Sequence, residues 1–256
     1  APEKRIEGEV EFRDVSFRIN GSKMLDHVSF HTAPGQTLGI MGTTGSGKTT
    51  LVNMISRMYD ATEGEVLVDG KNVQDYPLSS LRSSIGMAMQ DVFLFSDTVQ
   101  GNVSYGSEDL SLDDVVSCMT TADADGFVRG MEQGYDTLIG ERGVGLSGGQ
   151  KQRISLARAL AVKPSVLILD DTTSAVDMET EQYIQRELRR LEFPCTKIVI
   201  AQRVSSLKDA DNILVMDRGR IIEQGTHEEL LMRHGYYHHI WELQNSTQEE
   251  AAHIGA

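Results

Sequence analysis

The stretch "QTLGIMGTTGSGKTT", Gln36 to Thr50, runs from a short apolar segment into a glycine-rich turn and on into "LVNMISRMY". Across that junction Leu51, Met54, Ile55 and Met58 recur at helical spacing. Strand, glycine turn and helix in that order are the setting in which G-x-x-x-x-G-K-[ST], here Gly42 to Thr49, cradles a phosphate chain. Gly42, Gly45 and Gly47 let the backbone around Thr43, Thr44 and Ser46 wrap the phosphates with N–H groups, and the helix N-terminus adds partial positive charge. Lys48 is expected to reach the β- and γ-phosphates and the Thr49 hydroxyl to ligate Mg²⁺, with Thr50 closing the nucleotide-binding segment.

A loop of this kind needs a second half, a distant strand ending in an acid on the metal side. "VLILD", Val166 to Asp170, supplies it, with Asp170 as the metal-side carboxylate and Asp171 directly after it. Asp170 also suits a turn or helix cap, since Thr172, Thr173 and Ser174 follow, and one residue can do both.

Outward from the loop, "GEVEFRDVSFRI" alternates apolar with polar residues, and "GEVLVDG" is a strand ending in an Asp69-Gly70 turn signal. The opening third thus reads as an N-terminal antiparallel β subdomain. From about Gln90 to Ala161 the character changes: "DLSLDDVVSCMTTADADGFVRGM" is helical in period and acidic on one side. A second helix, "KQRISLARALA", follows the glycine-rich "GERGVGLSGGQ" and ends at Lys163-Pro164. The apolar strands "SVLILD", "KIVIAQR" and "NILVMDRGRIIEQG" then return, with the helical "METEQYIQRELRRL" between the first two. Strands alternating with helices predict an α/β fold with a parallel sheet covered on both faces, carrying an inserted α-helical subdomain. The expected boundaries are 1–89 and 162–244 for the core, 90–161 for the helical subdomain and 245–256 for a flexible, frayed tail.

A chain of 256 residues can bury a full core. Its formal charge of −14 argues against a nucleic-acid partner, because binding phosphate backbones rests on clustered Lys and Arg. No stretch approaches the roughly 18 apolar residues of a membrane span. Cys118 and Cys195 lie far apart without CxxC or Cys/His clustering, which fits a reducing compartment better than a disulfide scaffold. The chain begins at Ala1, as an excised part of a longer polypeptide or a processed N-terminus would. Adjacent His238 and His239 lack metal-ligand spacing and read as surface or packing residues, and Met54, Met58, Met87 and Met89 read as core filling. The acidic run from Glu108 to Asp114 reads as a solvated helix face with cap residues.

Between the two phosphate-site halves sits "LSGGQ", Leu146 to Gln150, followed by "KQRISLARAL" and, about twenty residues later, "LILDD". In this order and spacing the chain resembles the nucleotide-binding domain of ATP-binding cassette (ABC) transporters, from "VEFRDVSF" to "GTHEELL". The resemblance implies a P-loop NTPase (RecA-like) core and a head-to-tail dimer of such domains with two MgATP molecules sandwiched between them. Leu146, Ser147, Gly148, Gly149 and Gln150 would then be the signature that covers the partner's ATP. Gln90 matches the family's Q-loop glutamine at the Mg²⁺ and water site, and Ser174, Ala175, Val176 and Asp177 match the D-loop that crosses the interface. "DTLIGERGVGLSGGQ" and "IIEQGTHEELL" resemble the exporter branch of the multidrug or lipid type. Such domains usually follow a six-helix membrane domain on the same chain, at the cytoplasmic face of the cell membrane.

Three positions depart from the family's pattern. Asp171 stands where hydrolytically competent members have a glutamate acting on the attacking water; Gln202, in "IAQR", replaces the switch histidine; Ile19 replaces the aromatic residue that stacks on adenine. The Asp171 carboxylate falls short by about 1.3–1.5 Å, one C–C bond projected, and a misplacement of about 1 Å can cost on the order of 100-fold in rate. Gln202 can still donate to a γ-phosphate but cannot relay a proton. Ile19 retains an aliphatic face for the base, and nearby Phe17 offers a substitute ring. Both catalytic changes weaken hydrolysis while the signature stays intact. That combination predicts the degenerate-site subunit of a heterodimeric exporter, with its own site binding ATP and hydrolysing it slowly and its LSGGQ completing the partner's competent site. The competing readings are a homodimeric exporter domain with slow ATPase, a non-transport ABC ATPase of the chromosome or DNA-repair type, and a regulatory nucleotide-binding module.

Overall fold

The computed structural model describes residues 4–107, 109–143 and 145–254. The chain opens with β1 (Val10–Ile19), β2 (Ser22–Thr32), β3 (Thr37–Gly42), α1 (Lys48–Ile55), β4 (Glu63–Val68) and β5 (Lys71–Asn72). It continues through α2 (Leu78–Ser83), β6 (Ile85–Ala88), β7 (Asp97–Thr98), α3 (Val99–Ser104), α4 (Leu112–Thr121), α5 (Asp125–Arg129) and β8 (Leu138–Ile139). Then come α6 (Gly148–Ala161), β9 (Val166–Asp170), α7 (Met178–Arg189) and β10 (Thr196–Ile200). Last are β11 (Asn212–Asp217), β12 (Arg220–Gly225), α8 (His227–Met232) and α9 (Tyr236–Ile254). Two compact units result: Ala1–Gly8 with Pro77–Lys197, and Glu9–Tyr76 with Ile198–Ala256.

The second of these carries the expected antiparallel subdomain, in the order β2-β1-β4-β5. Phe12 stands opposite Phe30 across β1 and β2, and their rings stack with centroids 4.7 Å apart. Strict alternation in β1 fails at Asp14, whose left-handed backbone (φ 50°) makes a bulge that keeps Val15 and Phe17 buried. Asp69 and Gly70, both left-handed (φ 50° and 73°), close the tight β4–β5 hairpin announced by their sequence.

In the same unit β3 runs parallel to β11, which pairs antiparallel with β12. Met41, Val204, Leu207, Ile213, Val215, Leu230 and Tyr237 form one buried cluster, and Ile240 and Trp241 of α9 pack against it. Residues 245–254, expected to fray, carry helical backbone continuous with the start of α9. Helix α1 is shorter than its sequence period suggests. It caps at Ser56 and breaks at left-handed Arg57 (φ 56°), so Met54 is buried but Met58 is 58% exposed, not core filling.

In the other unit β6 and β9 pair in parallel, Ile85 opposite Val166 and Ala88 opposite Leu169. Helix α6 lies against β6 closely enough that a Cβ on Gly86 would collide with the Ala159 carbonyl oxygen. The acidic helical stretch is two helices: a Ser111–Asp114 capping box starts α4, and left-handed Asp123 (φ 56°) separates it from α5. Glu108, at the head of that acidic run, lies outside the described residues. Left-handed Lys163 (φ 47°) ends α6 just before Pro164, as expected. Among the described residues no helix is long and apolar enough to cross a membrane.

Candidate functional site

The glycine loop after β3 has the build its motif demands. Gly45 and Gly47 take left-handed backbone (φ 79° and 100°). A Cβ on Gly42 would strike the Met216 carbonyl oxygen, and one on Gly47 would lie 2.8 Å from that of Met24. The Ser46 N–H donates to Thr43 O at 3.1 Å, and the Leu51 N–H donates to Gly47 O at 2.9 Å, starting α1. The Lys48 ammonium spans the loop, donating to Gly42 O and Thr43 O at 2.8 Å each and to Ser46 Oγ at 3.3 Å. No acidic side chain stands in the first turn of α1 to offset its positive end.

The loop is braced from behind by the β11–β12 turn. Gly219 donates its N–H to Ser46 O and accepts the Asp26 N–H, both at 2.9 Å. The buried Asp26 carboxylate holds Lys23 at 2.6 Å and pairs with Arg220, which fixes that turn. The Lys23 hydrogen bond, joined by Arg220, keeps this carboxyl below the usual range although burial opposes it.

Also in this unit, Ile19 is 37% exposed. Phe17 is buried with its ring centroid 5.0 Å from that of Tyr59, so it presents no open face for a base. Gln202 is exposed. Its backbone is held by Gln244 of α9, which donates to Gln202 O at 2.8 Å and accepts the Val204 N–H at 2.9 Å.

The other unit carries Asp170 and Asp171, the LSGGQ segment and the expected D-loop, Ser174 to Asp177. Asp170 ends β9 only 3% exposed. Asp171 follows in the left-handed region (φ 54°) and is half-buried. Ser147 and Gln150 of the signature form the capping box of α6: Ser147 Oγ accepts the Gln150 N–H at 3.1 Å and Gln150 Oε1 accepts the Ser147 N–H at 3.0 Å. No acid occupies the first turn of that helix either, while Ser147 and Gly148 are exposed. Gly149 is buried, and a Cβ there would lie 2.7 Å from the Ala175 carbonyl oxygen. Asp177, expected in the D-loop, also caps α7 by accepting the Thr180 N–H at 2.8 Å.

Gln90 lies exposed in the segment after β6. That segment is laced by buried Asn102, which accepts the Phe95 N–H at 2.8 Å and donates to Phe95 O and Thr98 O at 3.0 Å each. Arg158 of α6 donates to Phe93 O at 2.6 Å.

Two residues escaped the sequence reading. Gln152 and Gln244 each hold a backbone turn that carries a candidate site residue. For Gln152 a signal exists in retrospect: it lies three residues after Gly149 and four before Leu156, on the buried stripe of α6. The glycine loop fits a triphosphate: Gly42 and Gly47 leave no room for a Cβ, and Thr49 beside them offers a hard oxygen donor of the kind Mg²⁺ takes.

The family model described as "ABC transporter" matches residues 25–174. The chain is 47% identical over 243 residues to an uncharacterized ABC transporter ATP-binding protein, YknU, of Bacillus subtilis, covering 94% of this chain and 42% of that protein. It is 45% identical over 244 residues to an ATP-dependent lipid A-core flippase of Mannheimia succiniciproducens, again 94% of this chain and 42% of the other. The solved structure of a bacterial Atm1-family ABC exporter with ATP bound superposes with a TM-score of 0.90 at 40% identity, over 93% of this chain and 42% of that one. This chain therefore spans about two-fifths of the length of such relatives. With its glycine loop, its buried strand-end acid and its capped LSGGQ helix, the chain belongs to the ABC transporter family.

Proposed function

We propose that the chain is the MgATP-binding domain of an exporter. It works paired with a second such domain, a different chain, and with transmembrane domains N-terminal on its own polypeptide at the cytoplasmic face of the membrane. The observation that carries this reading is the glycine loop closed by Lys48 at the head of an α1 whose first turn bears no acid. Gly42 to Thr50 bind the phosphates, with Lys48 exchanging its loop carbonyls for β- and γ-oxygens. Thr49, Gln90 and Asp170 hold Mg²⁺, which when bound neutralises charge on the phosphates. Ile19 packs an aliphatic face on the base. Residues 90–161 act as the helical subdomain.

At this domain's own site Asp171 and Gln202 orient the water and the γ-phosphate poorly, so ATP is held longer than it is split. Leu146 to Gln150 present the α6 N-terminus and the Ser147 hydroxyl to the partner's ATP, and Ser174 to Asp177 reach across the interface. The intact signature beside an altered acid favours the heterodimer over a homodimer.

The test is MgATP binding by equilibrium titration. Lys48→Ala removes charge-assisted hydrogen bonds, which contribute about 1.5–3 kcal/mol each, so affinity should fall by about 10-fold or more. EDTA should weaken binding to the unaltered protein. An affinity that survives both changes would place the nucleotide elsewhere.

A further inference from the structure

Helix α6 begins at the signature, and its fifth residue is Gln152, which points inward and is only 6% exposed. A buried amide is costly unless its donors and acceptor are matched. Here they are. Its Nε2 donates to Asp171 O at 3.3 Å and to Ser174 Oγ at 3.0 Å, and its Oε1 accepts the Ala175 N–H at 3.1 Å. Ser174 Oγ in turn donates to Asp171 O at 3.1 Å. One side chain thus grips both ends of the turn from Asp171 to Ala175.

A separate contact ties the same two elements. Gly149 brings the first turn of α6 against the Ala175 carbonyl, and Gly148 would carry a Cβ 3.5 Å from that of Ala175. The signature end of α6 and the turn bearing Asp171 are therefore packed and hydrogen-bonded as one body. Asp171 keeps its left-handed backbone inside that body.

We infer that Gln152 is a positioning residue that couples the signature to the Asp171–Ala175 turn, so that engagement of the partner's ATP by Ser147 and Gly148 is transmitted to the acid and D-loop of this domain's own site. This rests on the paired-domain reading above. Glutamine suits the role because it donates and accepts at once. Glutamate at the same length keeps the acceptor for Ala175 and loses the donors for Asp171 and Ser174.

The experiment uses the complete exporter polypeptide with its partner, unaltered and as Gln152→Ala and Gln152→Glu. Amide hydrogen exchange of residues 171–176, MgATP affinity, melting temperature and steady-state ATPase are measured together. Both variants should speed exchange in 171–176 by about tenfold while exchange in the rest of the domain stays close to that of the unaltered protein. They should lower kcat by about tenfold while KM and MgATP affinity stay within about twofold. Exchange and kcat like those of the unaltered protein overturn the inference. So does a fall in kcat that tracks a matching fall in melting temperature and ATP affinity. An unaltered protein that fails to bind MgATP would instead sink the functional reading, and the exchange of 171–176 would still decide whether Gln152 holds the turn.

Discussion

Asp171 sits in the left-handed region, which costs a residue with a Cβ roughly 1–2 kcal/mol and which aspartate tolerates better than most through its short polar side chain. Lengthening it to glutamate should restore the reach of the carboxylate and lose part of that tolerance. Asp171→Glu is therefore expected to melt slightly lower, by about 1 kcal/mol or about 2–4 °C for a domain of this size, as scanning calorimetry would show. An unchanged or raised melting temperature would mean that the turn is indifferent to the longer acid. The two thiols make a different prediction. Burial pushes both Cys118 and Cys195 up to about 11, with Asp114 adding to the effect at Cys118. Below that pH the nucleophilic thiolate is scarce, so at pH 8 both should react with iodoacetamide far more slowly than a free cysteine and speed up only as the pH approaches 11. Rapid labelling at pH 8 in the folded protein would contradict this.

At the scale of elements, caps decide where helices start. Ser111 and Asp114, neither of them a candidate site residue, bond reciprocally at the head of α4, at 3.1 Å and 3.3 Å. Ser111→Ala should cost about 1 kcal/mol, read as a lower urea midpoint with an unchanged slope and unchanged MgATP affinity. No shift would mean that α4 does not depend on its cap. The same scale shows what the sequence discloses. The glycine loop is legible as a tight turn because close backbone approach at Gly42 and Gly47 and left-handed φ at Gly45 and Gly47 leave few other residues possible. Asp170 was legible because a carboxylate closing an apolar strand is rare. Gln152 was not, since "GGQKQR" offers several polar residues and only the helical phase set by packing tells which one turns inward. Met58 reads as core because nothing in "ISRMY" marks Arg57 as the helix break. The polarity of the terminal segment suggests fraying, but Gln, Glu and Ala are adequate helix formers once Tyr237 and Trp241 anchor α9 against the core.

At the scale of the whole molecule, the candidate site residues fall in both compact units. One carries the phosphate loop, Ile19 and Gln202; the other carries the strand-end acids, the signature and the D-loop. The relatives it matches are more than twice as long as this chain. In the proposed function, this domain's own site holds MgATP firmly and hydrolyses it slowly because of Asp171 and Gln202. The most direct measurement is the single-turnover hydrolysis rate at saturating MgATP, comparing the unaltered protein with the Asp171→Glu, Gln202→His double variant. The expected rate is about 10- to 100-fold higher in the double variant, with MgATP affinity unchanged. Equal rates in the two proteins would contradict it.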